Sequence, residues 1–196
     1  IEETASDYLR KNPNIDTAAK KFINYQIAKC TTSGFLAGLG GIITLPVTIP
    51  ANVSSVLYVQ MRMISGLAYM GGYDTGSDQV QTLVYACLAG ISVDQILKQA
   101  GIKFGNKFAM AMVKKIPGEV LAKINQKVGF RFITKFGTTG IINLGKAGPA
   151  VGGVIGGGFD FIETKAIASR AYGLFIKGDL TASSDGADDI QIVKEV

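Results

Sequence analysis

Between Lys29 and Arg62 lie 32 consecutive residues without a charged side chain, the feature that most restricts what this chain can fold into. A run of that length must be buried, either in a protein core or in a bilayer, where a helical span needs about 20 apolar residues. Gly38, Gly40, Gly41, Pro46 and Pro50 interrupt it. Proline inside a helix removes a hydrogen bond and clashes with the preceding turn, so the run divides into a helix end, an irregular stretch over residues 45–51, and a new helix with Pro50 near its first turn. A buried core hairpin is the leading expectation. An interfacial hairpin and a single membrane span are the alternatives.

Helical spacing recurs outside this run, whereas alternating strand patterns bounded by hairpin dipeptides do not. Asp16 is the expected cap of an amphipathic helix through Lys20, Ile23 and Ile27 towards Cys30. The helix after Pro50 places Val53, Leu57, Met61, Ile64 and Ala68 on one face, and Ser55, Tyr58, Arg62 and Tyr69 on another. Arg62 is expected to pair with Asp160, since both stand in apolar sequence. The helix ends at Gly71-Gly72, Ser77 caps the next, and Ser92 with Gln95 predicts a capping box for a short helix that stops at Gly101. Two basic amphipathic helices follow over 102–116 and 117–129, divided at Pro117, with Leu121, Ile124 and Val128 inward. A last helix is expected to begin near Asp160. The fold class is therefore all-α: a single compact domain over 1–177 with glycine- and proline-broken apolar hairpins, followed by an acidic tail over 178–196 that has little to bury and is expected to be disordered.

Residues 136–159 hold one charge, Lys146, and a ridge of Gly148, Gly152 and Gly156 at a spacing of four. In a helix this spacing lets another backbone approach closely, as in G-x-x-x-G contacts. The alternative is a glycine-rich loop.

Several kinds of chemistry are excluded or disfavoured. The chain has no histidine, which removes Ser-His-Asp and Cys-His devices and most catalytic zinc sites. No metal or other cofactor is expected. Cys30 and Cys87 lack C-x-x-C spacing and sit in apolar surroundings, so buried reduced thiols are expected. The segment over 152–158 lacks the Gly-Lys-Ser/Thr of a phosphate loop. Asp160 and Glu163 stand one turn apart, a spacing that more often complements a helix dipole than performs catalysis. Phe104, Phe108, Phe130, Phe132 and Phe136 interleave with basic residues but alternate with aliphatics as core residues do, so nucleic acid is not the expected partner. No leader is visible, which points to a cytoplasmic location, with a peripheral place at the inner face of a bacterial membrane.

Charge is unevenly divided. The tail over 178–196 carries a net −4, which leaves +9 for residues 1–177 out of an overall +5. Between Lys98 and Lys146 ten basic residues face a single acid, Glu119. The candidates to meet an anionic membrane are Lys103, Lys107, Lys114, Lys115, Lys123, Lys127 and Lys135, because lysine stems can lie along apolar surface while their ammonium groups reach outward.

The motifs Leu45-Pro-Val-Thr-Ile-Pro-Ala51, Tyr58-Val-Gln-Met-Arg62, Gly72-Tyr-Asp74, Lys123-Ile-Asn-Gln-Lys-Val-Gly-Phe-Arg131, Thr134-Lys-Phe-Gly137, Asn143-Leu-Gly-Lys146 and Gly152-Gly-Val-Ile-Gly-Gly-Gly-Phe-Asp160 occur in this order. Together they give a chain that resembles the EcsC protein family over residues 16–177. The resemblance implies a bacterial, predominantly helical protein tied to membrane processes, and it carries no catalytic residues over. Arg62, Asp74, Asn125, Arg131, Asn143, Lys146 and Asp160 lie inside the motifs and are candidates for a shared polar site, or for a buried network that only stabilises the fold. The leading functional expectation is a non-enzymatic domain that binds an anionic lipid or membrane surface as an accessory to a membrane system, with a protein partner as a further option. The alternatives are a pore-forming or membrane-inserting protein that uses the apolar segments, and an enzyme of unfamiliar type built on Arg62, Lys146, Asp160 and Glu163.

Overall fold

The computed structural model describes residues 1–39, 51–102, 110–136 and 149–179, with side chains described for 1–30, 56–102, 110–132 and 161–179. Among the described residues there are eight α-helices and no β-strand, which makes the fold all-α. They are α1 (Glu2–Lys11), α2 (Ile15–Leu39), α3 (Ala51–Met70), α4 (Asp78–Ala89), α5 (Val93–Gln99), α6 (Met110–Val113), α7 (Gly118–Phe136) and α8 (Pro149–Tyr172). A π-helical turn, Gly173–Lys177, extends α8.

The centre of the fold is the trio α2, α3 and α8. The α2 pairing with α8 is the most extensive contact, α3 packs on both, and α1 lies across α2 and α3. In the first part of α2, Ala18, Ala19, Phe22, Ile23, Ile27 and Cys30 are buried while Lys20, Lys21 and Lys29 are exposed, so that part is amphipathic as its spacing predicts. Met63, Ile64 and Leu67 of α3 and Ile167, Ala168 and Ala171 of α8 complete the core. α4 bridges outward, since it touches α3 and α8 on one side and α7 on the other, and α5 also rests on α7.

One glycine lets α2 and α3 approach. A Cβ on Gly66 would lie 2.5 Å from the Phe22 ring, so any side chain there would push the ring out of the core. Among the described residues no helix is long and apolar enough to cross a membrane. The uncharged run is split between the end of α2 and the start of α3, and its middle lies outside the described residues.

Three local expectations are corrected. The cap of α2 is Asn14, whose Oδ1 accepts from the Thr17 amide at 2.8 Å; Asp16 already stands inside the first turn. Ser92 does precede α5, but it makes no capping hydrogen bond and its Oγ is buried without a partner, so the expected box with Gln95 does not form. The last helix begins at Pro149, with Asp160 in its interior, because the glycine-rich segment continues the helix instead of looping. Gly152 and Gly156 are therefore helical, while Gly148 lies outside the described residues. The second basic helix also runs further than 129, to Phe136, and α6 is the described helical part of 102–116. The tail expected to be disordered lies outside the description beyond Asp179. Ser77 caps α4 as expected, accepting from the Val80 amide.

Cys30 and Cys87 are buried and form no disulfide. Burial pushes the Cys87 thiol up to about 12, an effect that the nearby Arg170 guanidinium partly offsets. That guanidinium lies beside Gly90, the left-handed cap of α4, where helix carbonyls concentrate negative partial charge.

The end of the chain's described part is tied back to its start. Asp16 accepts from Lys177 Nζ at 2.6 Å, from Lys20 Nζ at 2.8 Å, and from the Tyr172 hydroxyl. The hydrogen bond from Lys177, then those from Lys20 and Tyr172, hold its carboxyl well below the usual carboxylate range. A carboxyl depressed in the folded state contributes stability above its unfolded value and loses that contribution as pH falls towards the folded one. With the Asp16 side chain 33% exposed, solvent screens the cluster and its contribution is about 1 kcal/mol. Asp16→Asn should therefore destabilise the domain by about that amount at pH 7, and the difference from the parent should shrink below about pH 4, read by urea denaturation at both pH values.

Candidate functional site

Among the described residues, the polar side chains singled out in the sequence do not converge. Arg62 is half-buried on α3, and it donates to the Tyr58 hydroxyl at 3.1 Å with its guanidinium 5.6 Å from the Tyr58 ring centre. This is a tyrosine one turn away on the same helix. The expected partner Asp160 has a side chain outside the described set. Asp74 is exposed in the turn between α3 and α4, where Oδ1 accepts from the Gly76 amide at 3.0 Å. Asn125 and Arg131 are exposed on α7. Asn143 and Lys146 lie outside the described residues, and Glu163 is half-buried on α8. Among the described residues no three histidine, cysteine or acidic side chains gather as a metal site.

Of the basic candidates, Lys114, Lys115, Lys123 and Lys127 are all exposed, on α7 and the turn before it. Val120, Leu121, Ile124 and Val128 of α7 are buried, the last three being the inward stripe read from the sequence. A flank of the helix beside this stripe carries Lys123, Lys127 and Phe130 at spacings of four and three, which puts them on one exposed face. Glu119 precedes them on that face. Lys114 and Lys115, exposed in the turn after α6, stand close by in sequence at the start of α7. Of the other basic candidates, Lys103 and Lys107 lie outside the description, as does the side chain of Lys135.

Phe130 corrects an expectation. It was expected in the core with the other aromatics, yet it is 70% exposed, because the inward stripe of Leu121, Ile124 and Val128 turns it away from the core. Helical arithmetic alone locates it: two residues beyond Val128 is about 200° around the helix. Phe130 stands one turn from Lys127 on this exposed face.

A cleft of about 370 Å³ opens between the turn after α3 and α6. Tyr73, Val80, Met110 and Val113 give it a mostly apolar lining, with Asp74 and Lys114 at its edges. Gly72 enters this wall with φ +81°, a conformation that glycine adopts without strain, and Met110 Sδ would stand 3.3 Å from a Cβ placed there. Sequence reading singled out Asp74 and Lys114 but not Met110, which the fold brings over Gly72 from a distant part of the chain.

Comparisons of this chain with protein-family models, with curated proteins and with solved structures found no match.

Proposed function

We propose that this domain binds anionic membrane surfaces peripherally, through the outward face of α7 and the adjoining Lys114-Lys115 turn. One observation carries the reading: Lys123, Lys127 and the 70% exposed Phe130 share a single exposed helix face beside the stripe that anchors the helix in the core. The lysines meet headgroup phosphates while the ring enters the acyl boundary, the division of labour of an interfacial amphipathic helix. The motif order that resembles the EcsC family fits the same role at a membrane.

Full-length chain should float with vesicles containing phosphatidylglycerol, and the bound fraction should fall as salt is raised from 50 to 500 mM, since the Debye length shortens from about 14 Å to about 4 Å. Equal flotation on neutral phosphatidylcholine vesicles would transfer the reading to the apolar segments and to insertion. No flotation on either would defeat it.

A further inference from the structure

We propose that the cleft between Gly72 and Met110 is a binding site for the head and upper chain of one zwitterionic amphiphile, a lipid whose headgroup carries both a phosphate and a primary ammonium. Its volume of about 370 Å³ lies in the range of about 300–1,000 Å³ that small-molecule sites occupy. Its mostly apolar lining would be wasted on a free ion or a sugar, and suits hydrocarbon. Its two charged edge residues have opposite signs, Asp74 and Lys114, and among the described residues they form no ion pair with each other. A ligand with charges of both signs complements them, whereas a purely anionic headgroup would meet the Asp74 carboxylate unfavourably.

The carboxylate is also held in place. The Gly76 amide donates to Oδ1 at 3.0 Å and Ser77 Oγ donates to the Asp74 carbonyl at 2.8 Å, which leaves the second carboxylate oxygen for a ligand. In the site, that oxygen accepts from the ligand ammonium, Lys114 Nζ donates to the phosphate, and the chain's first carbons lie over Tyr73 and Met110. Gly72 lets Met110 lie close over this wall, since a Cβ there would stand 3.3 Å from Met110 Sδ in a conformation with φ +81°.

This inference rests on the membrane-surface reading for its source of ligand, because Lys114 belongs both to the cleft and to the basic face. The two fail separately. The test uses the full chain and dihexanoyl phosphatidylethanolamine below its micellar concentration, titrated by calorimetry, with dihexanoyl phosphatidylglycerol as the comparison. Saturable binding of the ethanolamine lipid is expected. Asp74→Asn keeps the oxygen that the Gly76 amide needs and removes the charge, and should weaken that binding about tenfold while strengthening any binding of the anionic glycerol lipid. Met110→Trp, at a position 47% exposed and tolerant of bulk, should abolish binding by filling the cleft. Equal affinity for the two lipids, indifference to Asp74→Asn, or no binding of the ethanolamine lipid overturns the proposal. Flotation of the unmodified chain on anionic vesicles decides the surface reading independently of these results.

Discussion

Gly71→Ala should lower the stability of this domain by about 3 kcal/mol, and its melting temperature by roughly 10 °C, making it the most damaging single-methyl change in the described core. A Cβ at position 71 would fall 2.1 Å from the Phe175 carbonyl oxygen and 3.0 Å from the Tyr73 ring. The first neighbour is backbone, so no rotamer change relieves the clash. That carbonyl belongs to the π-helical turn after α8, which brings the chain back over the end of α3 and sets Phe175 edge-on against Tyr73 with ring centres 5.2 Å apart. To accept the methyl group, the turn must lift away from α3 and separate two buried aromatics. Gly129→Ala is the matched control. Position 129 is an exposed interior site of α7 with nothing within 4 Å of a built Cβ, so alanine there should stabilise by about 0.5–1 kcal/mol through helix propensity alone. Urea denaturation of both variants reads the contrast, and equal effects would show that close approach at Gly71 is not what the fold depends on.

The contrast between these two glycines also marks what the sequence can reveal. Helix type is local, so α3, α4, α5 and α7 follow from apolar spacing, from Ser77, and from the glycines after Met70 and Gln99. The inward stripe of α7 is legible for the same reason, and with it the outward register of Phe130. The need for glycine at 66 and 71 is not. It is set by Phe22 and Phe175, which stand 44 and 104 positions away and are brought near by tertiary packing. The close approaches at 66 and 71 are at glycines without any periodic signature, unlike the ridge at 148, 152 and 156, whose surroundings lie outside the described residues. The misread caps have a different cause. Asn14, Asp16 and Ser92 are all competent capping types, and which one caps depends on where the backbone turns, a matter of one or two residues that composition does not decide. Long-range polar pairs were illegible too: Gln60 donates to Thr164 at 2.9 Å inside the α3–α8 interface, and Asp16 joins Lys177, although neither pair is coded by spacing. The cleft at Met110 belongs with these, because its two walls come from separate stretches of chain.

Reversing Lys114, Lys115, Lys123 and Lys127 together to glutamate should abolish flotation on anionic vesicles while leaving the helical content and the urea midpoint close to those of the parent. Each lysine near an anionic surface contributes about 1 kcal/mol, so removing four weakens binding by about 4 kcal/mol, nearly a thousandfold, before the added repulsion is counted. The fold should survive because all four side chains are exposed, and among the described residues none of them forms an ion pair that the reversal would break. Lys123 follows Glu119 by one turn, so reversing it adds a like-charge pair that costs only a few tenths of a kcal/mol on an exposed helix. Phe130→Ser divides the binding further. Removing the ring should reduce flotation at every salt concentration by a similar factor, whereas the lysine reversals act most strongly at low salt, since only the charged contacts are screened. If the quadruple variant floats as well as the parent, the α7 face is not the membrane contact, and the apolar segments on either side of residues 40–50 become the place to look. If Phe130→Ser alone abolishes flotation while the lysine variant retains it, the surface is held by its apolar wedge and the basic residues serve only to steer the approach.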